Sequence, residues 1–177
     1  MATDTMVEDL KRKGRLHTGR GQGNLMRWAG IYARLALGFA FLSAVADRFG
    51  LWGANGKQGV AWGDFQHFIQ YAGMVNSFLP GRVIPFVAWA ATICETAFGV
   101  GLILGIYKRY VAIGSAVLLS LFALAMSISF GVKAPLDYSV FSASAAALLL
   151  FARQSRADQS EERTATQQQT AQRDEGN

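Results

Sequence analysis

The stretch "VAWAATICETAFGVGLILG", residues 87–105, decides what kind of molecule this is. It is apolar apart from two threonines and one glutamate, Glu95, near its middle. In a soluble core an unpaired buried carboxylate costs several kcal/mol. In lipid such a residue is rarer still, and it is read by default as a functional group with a partner to be found. Which solvent surrounds Glu95 follows from the rest of the chain.

Of the 177 residues, 51% are hydrophobic and only 16% are charged, with mean hydropathy +0.21. Soluble domains carry roughly 25% charged residues. The deficit lies between residues 26 and 152, so the composition points to one multi-pass membrane domain with polar tails at 1–25 and 153–177. The net charge of +5 does not indicate nucleic acid, because the basic residues sit beside apolar spans. Cys94 is the single cysteine, which excludes an intramolecular disulfide, a CxxC redox pair or a cysteine zinc site within one chain.

The pattern predicts an all-α membrane protein, a bundle of four transmembrane helices at 27–46, 83–106, 111–130 and 136–152. Lys11, Arg12, Lys13, Arg15, Arg20 and Arg27 precede the first span, Lys108 and Arg109 fill the turn between the second and third, and Arg153 and Arg156 follow the fourth. Fewer basic residues, Arg48, Lys57, Arg82 and Lys133, lie on the other side. The positive-inside rule then places both termini in the cytoplasm. A competing reading takes "SAVAD" at 43–47 as a signal-peptide cleavage site, which would leave three spans.

The first extracytoplasmic loop opens with the turn-like "GLWGANGKQG". It then places Phe65, Phe68, Ile69, Ala72 and Val75 at helical spacing, an amphipathic helix suited to the membrane surface. The tails 1–25 and 153–177 lack an apolar face and are expected to be disordered.

Arg34 in the first span and Glu95 in the second are the ionisable residues set well inside predicted spans. At about 1.5 Å per residue, Arg34 lies roughly 10 Å from Arg27 and Glu95 roughly 17 Å from Ile106. Sequential antiparallel helices are neighbours, so the expectation is an Arg34–Glu95 pair. Gly30, Arg34 and Gly38 on one helix and Ala91, Glu95 and Gly99 on the other recur every four residues, which lets two backbones close around it. Such a pair would either fix helix register or bind a polar ligand or proton; the alternative is that the two do not meet and Arg34 snorkels to the cytoplasmic headgroups. Asp47, Arg48, Asp137 and Tyr138 gather at the outer boundary, where they either frame an entrance or, as boundary charges usually do, simply sit in solvent. The serines of the last two spans are expected to bond their own backbone or a neighbouring helix. No span holds a histidine, and no Walker loop, Ser–His–Asp grouping or zinc signature is present.

"RLALGFAFLSAVADRFGLWG" at 34–53, "FIQYAGMVNSFLP" and "ETAFGVGLILGIYKRYVAIGSAVLLSLFALAMS" at 95–127 resemble the DoxX/DoxD family of small bacterial membrane proteins. That resemblance implies a four-helix bundle associated with quinone-linked redox chemistry, including thiosulfate oxidation, in a complex with a protein partner. It marks Arg34 and Glu95, with Asp47, Arg48 and Trp52, as ligand or proton-binding candidates. The "DR" at 47–48 stands where a lysine is more usual, which weakens an anion-binding role there. No intrinsic cofactor is evident from the residues, and the resemblance implies quinone as the ligand. A scaffold for a partner protein and a small homo-oligomeric transporter are the alternatives.

Overall fold

The computed structural model describes residues 2–175. Its elements are α1 (Ala2–Arg48), α2 (Phe65–Val75), α3 (Ile84–Leu104), α4 (Lys108–Phe130), α5 (Lys133–Asp137) and α6 (Val140–Glu175), with no strand among the described residues. Three stretches are long and apolar enough to cross a membrane: Gly23–Arg48, Gly81–Leu104 and Lys108–Phe130. The chain divides into two compact units, Met1–Ala33 and Arg34–Asn177. The first is helical from Ala2 onward. Apart from the N-terminal tail, everything described below belongs to the second.

Each helix boundary has a local cause. Pro85 stands in the first turn of α3, where a missing N–H costs no helical bond. Gly105 ends α3 in the left-handed conformation (φ 69°), and its N–H donates to the Gly101 carbonyl. Asp64 caps α2 by accepting from the His67 N–H at 2.9 Å. The predicted loop helix is present as α2, and its Phe68, Ala72 and Val75 are buried rather than laid on a surface.

The core joins α1, α3, α4 and α6 through Leu37, Phe41, Leu102, Ala116, Leu119 and Ala147. Small residues set how closely α1 and α3 approach, as the spacing predicts. A Cβ on Gly38 would stand 3.0 Å from the Gly99 carbonyl, and one on Gly99 would stand 2.9 Å from Leu42. Ser120 meets Ser144 across α4 and α6 at 2.8 Å, while Ser115 and Ser127 bond carbonyls of their own helix.

One expectation changes here. The apolar stretch 136–152 is interrupted, because α5 ends at Asp137 and Ser139 turns with φ 56° before α6 begins. The apolar part of α6 then measures about 20 Å, less than the roughly 30 Å hydrocarbon thickness. Helix also runs through both tails, with α1 starting at Ala2 and α6 running to Glu175. Neither tail holds a proline, and extending an existing helix avoids the cost of nucleation. In α6, Thr164, Thr166 and Thr170 bond the carbonyl four residues back.

Candidate functional site

Glu95 faces α1, but its partner is Arg48. Nη2 of Arg48 donates to Oε1 at 2.8 Å and Oε2 at 2.7 Å, so one nitrogen bridges both carboxylate oxygens. Nη1 donates to Thr92 Oγ1 at 2.8 Å, and that hydroxyl donates onward to the Ala88 carbonyl. Arg48 is 3% exposed and Glu95 2%. Arg48 is therefore not a solvated boundary charge but half of a desolvated ion pair.

Aromatic rings shield the guanidinium. Its Cζ lies 3.7 Å from the Phe68 ring centroid and 5.3 Å from that of Trp62. Ring quadrupoles attract a desolvated cation at such distances. Phe68 and Trp62 also pack edge-on against each other at 5.1 Å. The loop between α1 and α2 is thus part of the pair's enclosure.

Asp47 holds that loop in place. Its Oδ2 accepts from the Ala61 and Trp62 N–H groups at 2.9 and 3.0 Å. Asn55 donates to the Trp62 carbonyl, and Gly63 (φ 73°) passes so close that a Cβ there would lie 2.2 Å from the Asn55 nitrogen. Asp47 Oδ1 and Arg48 Nε are buried without a hydrogen-bond partner. Trp52 stands apart from this cluster. It is 60% exposed, and its indole N–H donates to the Ser43 carbonyl.

Arg34, the expected partner of Glu95, points the other way. Its Nε donates to the Leu102 carbonyl at 2.9 Å and its Nη2 approaches the Ile103 carbonyl at 3.4 Å. These are two of the carbonyls that the end of α3 leaves without a helical donor. A cation there also opposes the negative end of the helix. Gly105 leaves it room, since a Cβ would stand 2.5 Å from Nη2.

The two arginines stand about 21 Å apart along α1, and the direction in which each leans decides which of them meets Glu95. Side chains on a helix lean toward its N-terminus. With Gly38 against Gly99 in an antiparallel pair, Arg34 therefore leans toward the end of α3, away from Glu95. Arg48 leans back along α1 and reaches Glu95. Thr92, Trp62 and Phe68 complete the site, and the sequence marks none of them as a site residue, Phe68 being placed only on the apolar face of the loop helix. Thr92 lies one turn before Glu95, which was the available signal.

At the other end of α3 two clefts share Gly105, Lys108 and Gln154. One, of about 20 Å³, reaches Arg34; the other, of about 360 Å³, opens past Tyr107, Arg109 and Tyr110.

The sequence model of the family described as methylamine utilisation protein MauE matches residues 26–137. The chain belongs to the MauE family. The match takes in both arginines, Glu95 and the Lys108–Arg109 turn, and leaves α6 outside it. No match to a curated protein or to a solved structure was found. MauE is a membrane family, so the expected membrane character stands, while the family is not specifically DoxX/DoxD. Small-residue rows around one membrane glutamate answer the demands of helix packing in lipid, and do not by themselves separate one such family from another.

Proposed function

We propose that this MauE-family chain is a membrane scaffold in the maturation of a redox enzyme, and that its buried ion pair holds the fold rather than performing chemistry. The family is tied to redox maturation of methylamine dehydrogenase, which makes a protein partner the natural object of its work. The observation carrying the reading is the bridging of both Glu95 oxygens by Arg48, with both residues at most 3% exposed. A quinone head group seeking Glu95 would have to displace Arg48, and breaking a buried pair costs about 3–5 kcal/mol. The single cysteine, Cys94, leaves no dithiol within one chain to carry electrons. On this reading the apolar start of α6 is a fourth, short membrane segment, and both termini face the cytoplasm of a bacterial cell.

The test is complementation of a strain lacking this chain, scored by active methylamine dehydrogenase. Arg48→Met combined with Glu95→Leu removes the pair without stranding a charge. A double variant that inserts, elutes as wild type in detergent and restores activity is the expected result. A folded double variant that restores none would place the pair in the chemistry and overturn the reading.

A further inference from the structure

We propose that the clefts at the α3–α4 turn bind the phosphate of an anionic phospholipid. The larger is an open surface depression of about 360 Å³, lined by Lys108, Arg109 and Gln154 together with Tyr107 and Tyr110. The smaller adds the guanidinium of Arg34 behind Gly105 and Lys108. Three cations thus line the paired clefts against one carboxylate, Asp158, which stands 3.9 Å from Arg109 with both side chains about half exposed.

The position suits a headgroup. The turn joins the ends of two helices long enough to span a bilayer, which sets it at the level of the lipid phosphates. Tyr107 and Tyr110 are 78% and 73% exposed, and tyrosines favour that interface. Tyr107 keeps a left-handed backbone (φ 43°) that a residue with a Cβ adopts at a cost. Basic pockets between membrane helices at this depth bind anionic headgroups.

The full chain in mild detergent is offered phosphatidylglycerol or phosphatidylcholine, and bound lipid is counted by native mass spectrometry. Wild type should retain phosphatidylglycerol in preference. Each lost cation should weaken retention about fivefold, and Lys108→Gln with Arg109→Gln together roughly 25-fold, with phosphatidylcholine unaffected. Lys133→Gln, distant from the cleft, should change nothing. Both cleft side chains are exposed, so the variants should keep the wild-type melting temperature, and Lys108→Arg should retain lipid if Lys108→Gln proves unstable. Retention of phosphatidylglycerol unchanged in the double variant would overturn the proposal. Equal loss of both lipids would also overturn it, as would displacement of phosphatidylglycerol by inorganic phosphate, which would make free phosphate the ligand.

Discussion

Two arginines on the same helix, fourteen residues apart, meet opposite environments. Arg48 is desolvated, clamped by Glu95 and Thr92 and covered by the rings of Phe68 and Trp62. Arg34 is half-buried, bonded to two helix-end carbonyls, and borders a cleft. The first end of the bundle is closed by a folded loop; the second opens beside basic residues and tyrosines. A cation clamped by a buried carboxylate and walled in by aromatic rings is closed to a ligand, whereas one set beside a cleft is open to it. This contrast supports the two proposals, architecture at the Arg48 end and ligand binding at the Arg34 end.

The comparison is most easily broken at Arg48. Arg48→Met leaves Glu95 buried and unpaired, and should cost about 3–5 kcal/mol, read as a fall in thermal midpoint in detergent. Gly63→Ala should come next, at about 3 kcal/mol, since the new methyl meets backbone and the conformation is left-handed. Its signature is local: trypsin should cut after Lys57 faster than in wild type while the spans stay protected. At the open end, Arg34→Met should cost only about 1 kcal/mol, because water can solvate the freed carbonyls. Amide exchange should then rise at the last turn of α3 and not around Glu95.

The smallest effect concerns pH. His67 donates its backbone N–H to Asp64, and its ring bonds the same carboxyl, which holds that carboxyl below the usual aspartate range. A lowered folded value means the cap stabilises α2 above the ordinary value near 3.8 and is lost as pH falls through the lowered one. Exchange in α2 should differ between wild type and Asp64→Ala at neutral pH, and the difference should vanish in acid.

Much of this was legible beforehand. Apolar spans with basic flanks, the α2 periodicity and the small-residue contact of Gly38 with Gly99 follow from local rules. So did the need of Glu95 for a cation on α1. The identity of that cation did not, because spacing along a helix gives depth but not the direction in which a long side chain leans. Arg48 looked solvated because its neighbours in sequence are turn residues, and only the folding of the loop back over Arg48, tied by Asp47 to Ala61 and Trp62, removes it from water. The break at Ser139 rests on a left-handed residue that composition does not announce.

The most direct test of the account is a double-mutant cycle on Arg48→Met and Glu95→Leu, read as unfolding free energy in detergent. An architectural pair predicts that each single change loses several kcal/mol by stranding the other charge, while the double variant recovers most of the loss. Additive losses, or a single variant as stable as wild type, would show that the two charges do not hold each other and would contradict it.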